Sequence, residues 1–223
     1  MEFKEYPDAE MMFMQLADTL ASELENTLLT HDSATLAVPG GTTPGPVFDN
    51  LCDARLDWSR VAVLLTDERW VPEDSDRSNT KLIRKRLLTG RAAAARYLPL
   101  YAPAEEPEEK LPDLAAALEP HLPISVLLLG MGADMHTASI FPGADRLDDA
   151  LTGDDTLYPM RAPGAPEPRI TLSARALKAA MNTHILIVGP EKRAALERAR
   201  GLDPAEAPVA AVLPEATVHW AEG

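Results

Sequence analysis

Cysteine is almost absent from this chain: Cys52 stands alone among 223 residues. A single thiol can form neither an intrachain disulfide nor a cysteine-based metal cluster, and it suits a reducing compartment. Basic residues are also in short supply. There are 21 Lys and Arg against 35 Asp and Glu, a formal net charge of −14. No Lys/Arg run or basic stripe occurs, which argues against nucleic acid or an anionic membrane as partner. No apolar run approaches the roughly 20 residues of a membrane span. The opening "MEFKEYPDAE" has no basic stretch ahead of an apolar one, unlike a secretory signal. The expectation is a soluble cytosolic protein. Several catalytic signatures are missing too. There is no P-loop and no GxGxxG fingerprint, and no GxSxG elbow. His31, His121, His184 and His219 lack any HxxxH-like spacing, so no metal site is expected.

The apolar content is ordinary, at 46%, and enough for a sizeable core. Residues 7–29 carry Met11, Met14, Ala17, Leu20, Leu24 and Leu28 at three- and four-residue spacing, the mark of an amphipathic helix. "ATLAVPGG" reads as a buried strand running into a glycine turn, and "PGPVFDNLCD" as a helix with Pro44 in its first turn. Val61–Leu65 is a second buried strand. Ser78 then caps a helix whose apolar stripe is Leu82, Ile83 and Leu87. The Pro- and Glu-rich stretch 101–113 reads as a solvated loop, followed by a short helix around Leu114–Leu118. "ISVLLLG" is a third buried strand. A short strand, a Pro-rich loop and a strand-to-helix turn near Ser173 follow. "THILIVGPEKRAALERAR" is strand, turn and helix, and "ATVHWAEG" a last strand. Uninterrupted apolar strands alternating with helices predict a mainly parallel, doubly wound sheet covered on both faces. Ligands in such folds lie beyond the carboxyl ends of the strands.

Four strands deliver polar or glycine residues at that end. "VPGGTTP" places Gly40, Gly41, Thr42 and Thr43 between a strand and a helix, where backbone N–H groups and hydroxyls make an anion cradle. Its plain alternative is an ordinary turn with Thr43 as N-cap. In "TDERWVPEDSDRSN", Asp67 and Glu68 follow a buried strand, with Arg69 beside them. A carboxylate there can orient a hydroxyl, and a guanidinium can grip an anion; the alternative is a charged loop. In "LLLGMGADMHTASIFPG", Asp134 and His136 stand two apart where a strand has run out. A histidine held by a carboxylate can take a proton from water and return it; the alternative is a structural histidine. Arg169 precedes a short strand. Lys192 and Arg193 occupy the first turn of a helix, where the macrodipole disfavours cations, and this suggests an anion nearby.

The segments "GGTTP", "TDERWVP…SN", "GMGADMHTASIFPG", "RITL" and "GPEKRAAL", with the tail "PVAAVLPEATVHWAEG", come in the order seen in 6-phosphogluconolactonases. From about Val38 to Trp220 the chain resembles that family. The resemblance implies one catalytic domain over residues 1–223. It implies a three-layer α/β/α sandwich with a Rossmann-like sheet, as in glucosamine-6-phosphate deaminases and ribose-5-phosphate isomerases. It implies hydrolysis of 6-phospho-D-glucono-1,5-lactone, the second step of the oxidative pentose phosphate pathway, with neither metal nor organic cofactor. His136 becomes the general base and Asp134 its orienting partner. Gly40, Gly41, Thr42 and Thr43 cradle the phosphate, Arg69, Arg169 and Lys192 are its charge partners, and Asp67 touches sugar hydroxyls. The expected partner is a small phosphorylated lactone, and the expected assembly a monomer or weak homodimer. One departure stands out. The family reads Asp-Gly-His where this chain has Met135. If that position needs a positive φ, methionine carries about 1–3 kcal/mol of strain; the expectation is a tolerated backbone with Met135 at the pocket rim. The rival readings are a deaminase or isomerase, which resembles an HxxxxE pattern that Phe141 breaks here, and a non-catalytic sugar-phosphate-binding module.

Overall fold

The computed structural model describes residues 1–223. Ten strands alternate with seven α-helices. The strands are β1 (Glu2–Glu5), β2 (Ala34–Val38), β3 (Val61–Leu65), β4 (Asp67–Arg69), β5 (Arg96–Leu98), β6 (Val126–Gly130), β7 (Leu157–Met160), β8 (Arg169–Leu172), β9 (Asn182–Val188) and β10 (Ala216–Ala221). The helices are α1 (Ala9–Thr30), α2 (Gly45–Leu51), α3 (Asn79–Arg86), α4 (Leu111–Leu118), α5 (Leu147–Thr152), α6 (Ala174–Lys178) and α7 (Pro190–Ala199). None of these helices is long and apolar enough to cross a membrane.

Seven strands form one sheet in the order β1-β10-β9-β6-β2-β3-β5, every neighbouring pair parallel. This is the predicted doubly wound architecture. β2 and β3 are buried along their whole length and β6 in all but its last residue. Fully burying each leucine of such a strand stabilises the fold by about 1.5–3 kcal/mol. The chain winds outward one way through β2, β3 and β5, then returns to β6 and winds the other way. Right-handed crossovers therefore place the two sets of helices on opposite faces. β2 and β6 are adjacent, so their carboxyl ends flank the switch point where such sheets bind ligands.

Four corrections to the sequence reading have physical causes. The buried face of α1 starts with Met12 and Leu16, while Met11 and Met14 are exposed. Met11 to Met14 are all apolar, so spacing there fits two faces equally well. The strand β1 was not anticipated: three of its four residues are charged and exposed, as suits a protected edge. The third concerns Asp67–Arg69. These residues are not a loop but strand β4 of a second, antiparallel sheet ordered β4-β8-β7. The stretch 101–113 is less solvated than expected: Pro107 is buried, Tyr101 packs on Trp70, and Glu106 and Glu108 pair with Arg161.

His184 and His219, on adjacent strands β9 and β10, are buried together. A proton assignment with both rings singly protonated satisfies every link of their chain. The Tyr6 hydroxyl donates to His219 Nδ1 at 2.7 Å, His219 Nε2–H donates to His184 Nδ1 at 3.0 Å, and His184 Nε2–H donates to the Glu23 carboxylate at 2.8 Å. Both imidazoles are neutral in this arrangement. Burial, with His184 and Lys4 nearby, pushes His219 down to about 3. A histidine depressed in the folded state binds its proton more readily once unfolded, so stability is lost as pH falls below the ordinary histidine value. We expect unfolding free energy to drop by about 2 kcal/mol between pH 6.5 and 5, read by urea titration. His219→Phe is expected to flatten this limb; an unchanged slope would remove His219 as its source.

Candidate functional site

A cleft of about 280 Å³ opens at the switch point. It is lined by Gly40, Gly41 and Thr43 after β2, by Asp67 and Arg69 on β4, by Gly132 and His136 after β6, and by Asn79, Arg169 and Lys192. A second groove at the opposite, amino-terminal end of the sheet is larger, about 450 Å³, but has no Lys or Arg in its lining. The cations thus select the smaller cleft. No group of three or more His, Cys, Asp or Glu is gathered to hold a metal ion.

The strand character of β4 decides which side chains enter the cleft. Side chains alternate along a strand, so Asp67 and Arg69 share one face and Glu68 takes the other. Glu68 is fully buried. It accepts hydrogen bonds from the backbone N–H of Arg69, Asn79 and Thr80 and from the hydroxyls of Ser78 and Thr80. Burial raises its carboxyl, and these donors oppose that shift. A carboxylate at the amino end of α3 also suits the macrodipole. Ser78 caps α3 as predicted, accepting from Lys81 N–H. Glu68 therefore builds the wall of the cleft rather than its chemistry.

Arg69 and Arg169 face each other in register across β4 and β8. Neither Nε has a hydrogen-bond partner although both are buried. Arg69 Nη1 donates to the Arg77 carbonyl at 2.7 Å. Burial lowers the Arg169 guanidinium from its usual value, and Asp67 opposes that shift. Arg77 is held by Glu167 of the Pro-rich loop at 2.7 Å. Asp67 accepts from Ser139 Oγ at 2.6 Å and from Thr66 Oγ1 at 3.0 Å.

His136 follows a tight turn. Its Nδ1 lies 2.5 Å from Asp134 Oδ1, which also accepts the His136 N–H at 3.2 Å. This bond holds the Asp134 carboxyl below the usual carboxylate range. Nε2 is left for a water. A Cβ on Gly132 would fall 2.1 Å from His136 Nδ1 and 2.3 Å from Asp134 Oδ1, so only glycine leaves room for the pair. Gly41 has φ +85, and a Cβ on Gly40 would collide with the Asn79 side chain at 2.0 Å.

The structure brings together most of the predicted residues: Gly40, Gly41, Thr43, Asp67, Arg69, His136, Arg169 and Lys192 line one cleft, with Asp134 behind His136. Thr42 does not join them. It is exposed and outside the lining, and its carbonyl accepts from Gly45 N–H. The cap of α2 is Pro44, with no side-chain bond, so Thr43 is no N-cap. Arg193 also drops out. It lies over Trp220 and Phe3 at 4.4 and 5.4 Å and pairs with Glu5, so only Lys192 faces the cleft. Asn79 and Ser139 were quoted in motifs but given no role. The pairing of two arginines across β4 and β8 would have required knowing that 67–69 is a strand.

The family model described as "Glucosamine-6-phosphate isomerases/6-phosphogluconolactonase" matches residues 7–220. The chain belongs to this family. A 6-phosphogluconolactonase of Pseudomonas aeruginosa is 43% identical over 215 residues, covering 92% of this chain and 88% of that protein. One of Rhizobium meliloti is 41% identical, covering 92% of each. The crystal structure of a 6-phosphogluconolactonase from Shewanella baltica superposes with a TM-score of 0.96 at 34% identity, over 99% of this chain and 97% of that one. A monomeric glucosamine-6-phosphate deaminase shares the fold, with a TM-score of 0.84 at 16% identity.

Met135 corrects one expectation in two ways. Its φ is +66, the left-handed region that glycine occupies freely. It is absent from the cleft lining and packs at the margin of the core instead, its carbonyl accepting from Val209 N–H at 3.1 Å. Met135→Val, which adds a branch at Cβ, is expected to be about 1–3 kcal/mol less stable than Met135→Gly. Urea unfolding of the two variants measures this, and equal midpoints would show that the backbone there carries no strain.

Proposed function

We propose that this chain hydrolyses 6-phospho-D-glucono-1,5-lactone to 6-phospho-D-gluconate, through one catalytic unit spanning residues 1–223. The observation that carries the reading is the Asp134–His136 pair, set in a cleft with Arg69, Arg169 and Lys192. The names and identities of the relatives support it. Phe141, stacked on His136, stands where the HxxxxE pattern of a deaminase or isomerase would put its acid.

Asp134 holds the Nδ1 edge, so Nε2 takes the proton of a water that attacks the lactone carbonyl. The tetrahedral oxyanion collapses, the ring oxygen leaves, and the imidazolium returns the proton to it. The open-chain acid then loses its carboxyl proton to solvent to give the carboxylate, and no covalent intermediate is needed. The phosphate rests in the Gly40–Gly41 turn with the Thr43 hydroxyl. Lys192 supplies charge there, and Arg69 and Arg169 supply forked donors. Asp67, with Ser139 and Thr66 already fixing its carboxylate, orients sugar hydroxyls. Local cations are required because the net charge of −14 otherwise repels a phosphate.

The reading is tested with freshly made lactone and coupling to 6-phosphogluconate dehydrogenase, following NADPH and subtracting spontaneous hydrolysis. His136→Ala is expected to lower kcat by about 10²–10⁴-fold with KM nearly unchanged. Near-normal turnover in a folded variant would take His136 out of the mechanism. Lys192→Ala is expected mainly to raise KM; an unchanged KM would refute its grip on the phosphate.

A further inference from the structure

Five residues past His136 the chain has come back on itself. Ile140 N–H donates to the Thr137 carbonyl at 3.0 Å, the two residues form an antiparallel bridge, and Ala138 at the crest has φ +49. A turn this tight returns residue 141 beside residue 136. The rings of His136 and Phe141 stack with centroids 4.2 Å apart and planes 29° apart. The Arg169 guanidinium carbon lies 5.2 Å from the centroid of the Phe141 ring. The benzyl ring thus touches both the imidazole and a guanidinium of the cleft.

This contact follows from how the turn is fastened. Ser139 N–H donates to Thr171 Oγ1 at 3.1 Å, and its hydroxyl donates to Asp67. Thr171 and Arg169 are two apart on β8 and so share a face. Ser139 and Phe141 are likewise two apart. Fastening Ser139 to Thr171 brings Phe141 to Arg169. Neither partner is otherwise fully fixed. His136 is held by Asp134 at one edge only, and a ring held at one edge can pivot about that bond. Arg169 has a buried Nε with no protein partner. Offset stacking on one side and a cation–π contact on the other restrain both.

We propose that Phe141 is a positioning residue that joins the imidazole of His136 and the guanidinium of Arg169 into one rigid unit, fixing the distance between the base and the cation that grips the substrate. This rests on the lactonase reading above. Phe141 itself exchanges no proton. Its effect is geometric, and small displacements of a reacting group are costly to rate.

The test compares Phe141→Leu, which removes the flat ring, with Phe141→Tyr, which keeps it, both in the full chain and checked for folding by thermal melt. Phe141→Leu is expected to lower kcat about ten- to a hundredfold and to raise KM about threefold or more. Phe141→Tyr is expected to restore both to near the parent values. An NMR measurement runs beside the kinetics: the His136 ring protons, assigned by their loss in His136→Asn, are expected to be displaced by the neighbouring ring and to move in Phe141→Leu. Parent kcat and KM in a folded Phe141→Leu chain overturn the proposal, as do unmoved ring protons. A lowered melting point alone, with both kinetic constants intact, would make the ring structural and also overturn it. If Phe141→Leu does not fold, Phe141→Met takes its place under the same criteria. An unmodified chain that leaves the lactone untouched would sink the lactonase reading instead, and the NMR shift would still report the stack.

Discussion

A buried hydrogen bond fastens the histidine turn of one sheet to the arginine strand of the other. Ser139, in the turn after β6, donates its hydroxyl to Asp67 on β4 at 2.6 Å. The first residue belongs to the loop carrying His136, the second to the strand carrying Arg69. The large parallel sheet supplies the switch point, the glycine turn and the histidine. The small antiparallel sheet supplies the arginines. Thr66 already joins β3 to β4 and bonds through its backbone to Val38 and Leu172; the Ser139 bond fixes the turn carrying His136 to that junction. A buried polar link is worth most where both ends are fully satisfied, and Thr66 and Thr171 complete the set here.

The charge distribution follows the same logic of local against global. An acidic chain that handles an anion must concentrate donors in one place, and it must prevent neighbouring acids from neutralising them. Glu68, which sits between Asp67 and Arg69 in sequence, is turned to the far face of β4 and occupied by five donors. Glu167 is occupied by Arg77. Arg69 and Arg169 are left with unpartnered Nε atoms in a partly dry cleft, where an electrostatic contact is strengthened by the lower dielectric.

The parallel sheet was legible in the sequence because buried parallel strands are largely apolar runs, as in β2, β3, β6 and the second half of β9. The glycine turns, His136 and Asp134 were legible because they interrupt those runs at the carboxyl end. The second sheet was legible only in part. The short strands on either side of the Pro-rich loop could be read, but β4 could not: its three residues are all charged and lack the pattern that marks a strand, and its partner β8 lies about a hundred residues away. For that reason Arg69 and Arg169 could be picked out singly but not as a facing pair. Lys192 and Arg193 were both read as pointing to an anion, with the charge role given to Lys192, and the structure separates them by placing Arg193 over Trp220. Met135 was noticed only against the motif it departs from, and its φ could be read only from coordinates.

The four side chains of Tyr6, His219, His184 and Glu23 form one unbranched chain of hydrogen bonds, and this has a consequence for descent. Each member is justified only by the next. Phenylalanine at position 6 would leave His219 without a donor, and leucine at position 184 would strand Glu23 and His219 together. Related chains should therefore inherit the quartet whole, or show all four positions given over to apolar residues at once, with few lineages caught between.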